Sequence, residues 1–308
     1  MKHRIGILSP KEKFSENLID AVNSLGDDRI EAVMCEVAEL NTENSVNYRV
    51  IIDRISHCVD FYQPFLKKAA LSGVYVINNP FLFPADDKFF QACLANKIGV
   101  NVPRTVCLPS KEYPRDVLSP EDLHNLCYPL DWKKIVEYIG FPAILKPFNG
   151  YGWTDVFKVN SFEELMKVYD ATGEQVMILQ EFINFQHYVR VFVIDDFTLP
   201  IKYIPETKTY VVDHKHLTPE LGQRIVNDSL KLNKYLGYDV NTVEFAIKDN
   251  VSYAIDFMNP VFDANPDSIT QEYFNVILEQ FAKMAVRYAF NPVDKRIFNI
   301  YGLSGMSQ

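Results

Sequence analysis

Phe141-Pro-Ala-Ile-Leu145 is a short β-type run that ends on one cation, Lys146, and passes directly into Pro147-Phe-Asn-Gly150-Tyr-Gly152-Trp153. A strand that delivers a lysine into a two-glycine loop restricts what the surrounding chain can build. An ammonium beside exposed backbone N–H groups is a good holder of nucleotide phosphates. It is not the Walker A arrangement, because Lys146 precedes the glycines and no Gly-Lys-Ser/Thr follows. By itself the segment supports two readings equally, a plain turn or a phosphate cradle.

Composition narrows the context. At 308 residues, two or three compact lobes are expected. Hydrophobic content of 48%, with 17 Tyr and 22 Phe, is ample for packed interiors and argues against disorder. A net charge of −9, with Lys and Arg scattered, disfavours a nucleic-acid partner. Five cysteines, an odd count without a C-x-x-C pair, point to reduced thiols rather than disulfides or a zinc site. The apolar run near Met1 is too short for a signal peptide, and no stretch approaches a membrane span. The expected setting is cytoplasmic, with no membrane partner.

Along the chain, strands are expected at Arg4–Leu8, Ala32–Val37, Val50–Ile55 and Val74–Ile77, with helices at Lys11–Leu25 and Gln63–Leu71. This alternation predicts a small parallel α/β lobe, and the absence of G-x-G-x-x-G after its first strand makes it a poor dinucleotide binder. A helix from Asp86 or Asp87 to Ile98, a strand at Thr105–Leu108 and a proline-rich loop with a short helix near Pro120–Asn125 follow. Next come a helix at Trp132–Tyr138, the Lys146 strand and its return at Asp155–Val159. Ser161, with Glu164, predicts a capped helix over Phe162–Tyr169 before a strand at Val176–Gln180. The last part reads as strands Val189–Ile194 and Leu199–Ile204, a helix Thr218–Leu236, a hairpin Asp239–Ile247/Ser252–Met258 and a helix Ser268–Ala289.

That hairpin is the second chemical feature. Glu244 and Asp256 lie on its two strands, where one face can hold both. Opposed carboxylates repel unless a cation lies between them, and Asn259 adds an amide oxygen, a donor set that suits Mg²⁺. The plainer alternative is a surface hairpin with solvated acids. Arg190 opens an apolar strand, either snorkelling or aimed at a phosphoryl group or oxyanion, and Lys202 on the next strand is expected beside it. Gln180-Glu181-Phe182-Ile183 ends a strand and offers backbone groups to an adenine edge. His214 and His216 alternate at strand spacing and read as loop histidines; Asp263 and Asn265 either touch substrate or cap the final helix, with capping by Asp267 or a nearby residue the plainer choice.

In this order the motifs resemble the ATP-grasp superfamily of carboxylate–amine ligases, on the side of glutathione synthetases, D-alanine–D-alanine ligases and ribosomal-protein glutamate ligases. Asp87-Lys88 ahead of Gly99-Val-Asn-Val-Pro103-Arg-Thr105 matches the first lysine, and Lys146 with its glycine loop the second. Gln180–Ile183 matches the adenine hinge, Arg190 the strand arginine, and Glu244, Asp256 and Asn259 the metal set. The resemblance covers about Asp86 to Asp263. It implies an α/β and α+β ATP-grasp fold: an N-terminal lobe over 1–85, a lid domain over 86–182 and a C-terminal domain carrying the metal site over 183–308.

It also implies an ATP- and Mg²⁺-dependent ligase that forms an amide or peptide bond through an acyl phosphate. Lys88, Lys146, Gly150, Gly152 and Gln180–Ile183 would hold ATP, and Arg190 with Lys202 would serve the chemistry. The substrates would be small-molecule or peptide carboxylates and amines, with a homo-oligomer left open. Two departures stand out: Asp256-Phe-Met-Asn259 is one residue longer than the usual Glu-x-Asn, and the 205–216 loop has no glycine. Both favour the alternative of an ATP-grasp-fold nucleotide-binding protein without ligase activity. An oxidoreductase using the N-terminal lobe is disfavoured by the missing glycine fingerprint.

Overall fold

The computed structural model describes residues 2–82, 86–113, 123, 125–150 and 152–291. Most of the helix expected near Pro120–Asn125 lies outside them. By internal contacts the chain divides into one unit of Met1–Ala85, Val189–Val243 and Asn259–Gln308, and another of Asp86–Tyr188 and Glu244–Met258.

The N-terminal lobe is a parallel sheet in the order β2-β1-β3-β4, from β1 (His3–Leu8), β2 (Ile30–Met34), β3 (Val50–Asp53) and β4 (Tyr75–Ile77). Helix α1 (Lys13–Leu25) buries Phe14, Leu18 and Val22, one stripe at helical spacing. Phe14 meets Phe262, Phe274 and Phe281 edge to face, at centroid distances of 6.4, 6.2 and 5.7 Å. Helix α2 (Tyr62–Leu71) buries Phe65, Leu66, Ala69 and Ala70 in the same unit.

The other unit holds α3 (Lys88–Lys97), β5 (Thr105–Leu108), α4 (Trp132–Ile139), β6 (Ala143–Pro147), β7 (Phe157–Val159), α5 (Phe162–Tyr169) and β8 (Met177–Glu181). Its strands form an antiparallel sheet in the order β5-β8-β6-β7. Leu108, Ile139, Leu145, Leu165, Met177 and Leu179 make its core. The cap expected at α5 forms: Ser161 Oγ accepts from Glu164 N at 3.2 Å, while the Glu164 carboxylate accepts from the N–H of Asn160 at 2.8 Å.

A third sheet runs β11-β10-β9-β12-β13, from β9 (His187–Ile194), β10 (Phe197–Ile204), β11 (Thr209–Val211), β12 (Val240–Lys248) and β13 (Val251–Asp256). Helix α6 (Pro219–Leu236) begins at an N-cap Thr218 and ends on Gly237, whose φ of 73° stops the helix in the left-handed region. The final helix is not the continuous one that the sequence predicts. Thr270, at φ 69°, divides α7 (Pro266–Ile269) from α8 (Gln271–Phe290), and Asn265 caps α7, its side chain accepting from the N–H of Asp267. No helix among the described residues is long and apolar enough to cross a membrane.

Strand β12 is buried along its whole length except at Lys248. Polar groups on such a strand need protein partners. Its entry is pinned by Asn78, which is 8% exposed. The Asn78 amide oxygen accepts from the N–H groups of Asp239 and Val240 at 2.6 and 2.9 Å, and its amide nitrogen donates to the Val240 carbonyl at 2.9 Å. Asn78→Ala leaves these backbone groups buried and unsatisfied, and should cost roughly 2–4 kcal/mol of stability, read by urea denaturation.

Candidate functional site

The site begins with the start of α3. Asp87 caps the helix by accepting from Phe90 N at 2.7 Å, which places Lys88 at its first position. The Lys88 N–H, an orphan donor at a helix start, is satisfied by the Phe148 carbonyl at 2.9 Å, just beyond β6. The two lysines of the sequence pattern are thereby tied to one another through backbone.

Lys146, near the end of β6, is only 8% exposed. Its Nζ donates to the carbonyl of Ile255 at 3.1 Å. That carbonyl is presented by a β-bulge: Phe245 pairs with Ala254, but Glu244 pairs with Asp256, so Ile255 is the extra residue of β13. The bulge does two things. It takes Ile255 out of the regular ladder, and it brings Asp256 directly opposite Glu244.

Asp256 is gripped by Lys88, whose Nζ donates to Oδ1 and Oδ2 at 2.9 and 2.8 Å. Burial pushes its carboxyl upward, but Lys88 and Lys146 outweigh that and hold it down to about 2. Lys146 is lowered to about 8, the balance of burial and Lys88 pushing it down against Asp256 and Glu244 pulling it up. Glu244 is buried and accepts a hydrogen bond from the phenol of Tyr188, a buried residue packed edge to face on Phe185 at 5.4 Å. Sequence reasoning passes over Tyr188. Its only signal is a tyrosine two residues before Arg190, where the strand pleat repeats.

Of the loop glycines, Gly152 sits at φ 70°, where an L side chain is strained, whereas a Cβ on Gly150 would meet only Pro147, at 3.5 Å. The backbone therefore requires glycine at 152. Trp153 beside it is 54% exposed.

At the end of β8, the Glu181 carboxylate takes Arg104 in a two-pronged pair at 3.0 Å per contact, which holds it below the usual range. The N–H groups of Glu181 and Phe182 are taken by the carbonyls of Arg104 and Pro142. Gln180 is buried and donates to Thr105 Oγ1 at 3.2 Å. Lys158 lies 3.9 Å over the ring of Phe182.

In the other unit, Arg190 stacks on Tyr203 at 4.2 Å and donates to the Tyr210 hydroxyl at 2.8 Å. Lys202 does not lie beside it. In the β10–β11 register Tyr203 faces Tyr210 and Lys202 faces Val211, so Lys202 leaves from the opposite face and pairs with Asp213 at 3.1 Å. Asn259 donates from its side chain to Thr242 O at 3.3 Å, and its N–H bonds Asn241 Oδ1 at 2.9 Å. His214 pairs with Glu272 at 3.3 Å, and His216 bonds the Asp213 carbonyl; neither lies on a strand.

Two opposed carboxylates, one ionised far below neutral pH, are hard donors that fit Mg²⁺. Among the described residues no group of three His, Cys, Asp or Glu is placed to hold a metal, so further positions would fall to an amide oxygen, water and phosphate.

The structure aligns with D-alanine–D-alanine ligase from Bacillus anthracis at TM-score 0.65 and 15% identity, covering 94% of this chain and 98% of that one. A RimK-domain ATP-grasp protein from Sphaerobacter thermophilus aligns at 0.67 and 16% identity, covering 92% and 98%. The fold is ATP-grasp. Residues 117–199 also match the model of the RimK-like ATP-grasp domain. The ATP-grasp ligase PsnB, solved with a minimal precursor, Mg and ADP, aligns at 0.62 and 12% identity, covering 92% and 98%. Mitochondrial pyruvate carboxylase from Rattus norvegicus is 29% identical over 127 residues, 35% of this chain and 11% of that protein. The chain thus matches about a tenth of the length of this curated relative.

The depressed Asp256 carboxyl contributes stability that is fully present above its unfolded value of 3.8 and is lost as pH falls through about 2. The stability difference between the native protein and Asp256→Asn should therefore shrink by about 2 kcal/mol between pH 5 and pH 2, measured by urea unfolding across that range. Separately, Gly152→Ala should weaken ATP binding more than Gly150→Ala, because only the former strains the loop; calorimetric titration of both variants checks this.

Proposed function

We propose that this chain is an ATP-dependent carboxylate–amine ligase that forms an amide or peptide bond and releases ADP. The carrying observation is the convergence of Lys88, Lys146, Glu244 and Asp256, from well-separated points of the sequence, into one largely buried cluster. Two lysines with two opposed carboxylates suit a nucleotide triphosphate and its metal. In this reading a substrate carboxylate attacks the γ-phosphoryl of ATP, giving ADP and an acyl phosphate. An amine then attacks the acyl carbon and displaces phosphate.

Lys88 and Lys146 would hold phosphate oxygens, and the loop through Gly150 and Gly152 would cover them and keep water from the acyl phosphate. With the N–H groups of Glu181 and Phe182 already bonded, an adenine edge would meet the hinge at the Glu181 carbonyl and the Ile183 amide. Glu244 and Asp256, with Asn259, would hold Mg²⁺. When bound, the ion would offset charge on the β- and γ-phosphates. Arg190, oriented by Tyr203 and Tyr210, keeps its implied role of stabilising the acyl phosphate and the tetrahedral species. Lys202, paired with Asp213 on the opposite face, is left without a catalytic part.

The substrates would be small-molecule or peptide carboxylates and amines, a reading supported by the likeness to D-alanine–D-alanine ligase and to PsnB, which was solved with a precursor peptide. A cytoplasmic setting belongs to the same proposal, since the five cysteines are thiols outside any disulfide. A nucleotide-binding protein without ligase activity is the second reading, favoured by Lys202's engagement and the glycine-free 205–216 loop.

ADP release across a panel of carboxylates and amines should be Mg²⁺-dependent and require both substrates; ATP binding with no release from any pair favours the second reading. Lys146→Ala should weaken ATP binding by at least about tenfold, the loss of one charge-assisted contact, and abolish turnover. Calorimetry, with Trp153 emission as a second readout, measures the binding. Unchanged affinity counts against the site.

A further inference from the structure

As a ligase the protein would use Lys88 for a phosphate and Asp256 for a metal, yet the two residues hold each other. Both Asp256 oxygens lie within 2.9 Å of the Lys88 ammonium, and the side chains are only 10% and 26% exposed. Lys88 is held at the start of α3 by the Asp87 cap and by the bond from its own N–H to Phe148. Lys146 is engaged by the Ile255 carbonyl. Lys88, Lys146, Glu244 and Asp256 together carry two ammonium groups and two carboxylates, which balance in charge.

This arrangement makes separate arrivals costly. A divalent cation that takes Asp256 alone strips Lys88 of its counter-charge in a mostly buried place, and a half-broken buried pair is strongly unfavourable. A phosphate that takes Lys88 alone leaves Asp256 opposite Glu244 with less positive charge between them. When phosphate and cation arrive together, Lys88 exchanges a carboxylate for a phosphate, and Asp256 exchanges an ammonium for a metal. Each buried charge then keeps a partner.

We propose that the Lys88–Asp256 pair is a latch that releases the metal carboxylate only when nucleotide phosphate takes Lys88. The inference rests on the ligase reading and adds to it a rule of assembly. Metal and nucleotide binding are coupled through one exchanged ion pair, beyond the direct bond between metal and phosphate. By linkage each strengthens the other by the same factor, and couplings of this kind are typically about 5–150-fold.

The test uses Mn²⁺ as the probe, followed by electron paramagnetic resonance on the full chain, with and without a non-hydrolysable ATP analogue. The native protein should take up Mn²⁺ with the analogue and show no uptake from Mn²⁺ alone at the same concentration. Lys88→Met should bind Mn²⁺ without nucleotide at least about tenfold more tightly than the native protein, so that removing a nucleotide-binding lysine improves metal binding. Lys88→Arg keeps the charge and should stay as weak as the native protein. Lys146→Met, which removes an ammonium bonded to Ile255 rather than to Asp256, should tighten nucleotide-free Mn²⁺ binding less than Lys88→Met.

Equal tightening in the two methionine variants overturns the latch in favour of general charge repulsion, and no tightening in Lys88→Met overturns it outright. Should Lys88→Met fail to fold, the native protein decides alone: Mn²⁺ uptake, or a rise in melting temperature with Mn²⁺ alone, overturns the proposal. If the analogue and Mn²⁺ bind together but the variants do not separate, only the latch falls. If the native protein binds neither analogue nor Mn²⁺, the ligase reading falls with it.

Discussion

A lysine ammonium withdrawn from water needs oxygen around it, and much of this site follows from meeting that need at Lys146. Burial drives the group toward neutrality, and Asp256 and Glu244 work against that drive. The Ile255 carbonyl reaches it because the extra residue in β13 takes that group out of the regular ladder. The same bulge sets Asp256 opposite Glu244. One irregularity in one hairpin thus supplies an acceptor for the lysine and the facing pair of acids.

The neighbouring elements serve that placement. The N–H of Lys88 reaches past β6 to Phe148, so a helix start and a strand end share a hydrogen bond. Tyr188 fixes an oxygen of Glu244, and Asn241 on β12 spends its side chain on Asn233 and on the N–H of Asn259. A strand covered on nearly its whole length can carry polar residues only where each finds such a partner. The polar residues of β12 are where it connects to the rest of its surroundings, and its apolar residues supply packing.

Much of the fold is legible along the chain because its signals are local. The β5 strand, the Ser161 cap of α5, the Asp87 start of α3 and the hairpin around Asp249–Asn250 each announce themselves within a few residues. What escapes depends on distant partners. Strand β11 is three residues held by pairing with β10, in a stretch that reads as a loop from its residues alone. The break at Thr270 interrupts a helix whose apolar positions continue on both sides. The Arg104–Glu181 pair joins residues far apart in sequence, and nothing local marks either as half of an ion pair.

The residue types at the site, and their order, were set by the sequence alone: two lysines, a glycine loop, a hinge, an arginine and a pair of acids at hairpin spacing. Local chemistry is enough for that, since a capping residue, a strand run or a turn works through its neighbours. Which of them meet was decided only by tertiary structure. The pleat sends Lys202 away from Arg190, and backbone strain singles out Gly152 from Gly150. The bulge turns Asp256 toward Glu244, where Lys88 holds it. Each of these outcomes turns on register, a relation between strands that depends on their pairing partners, or on the backbone angle that folding imposes.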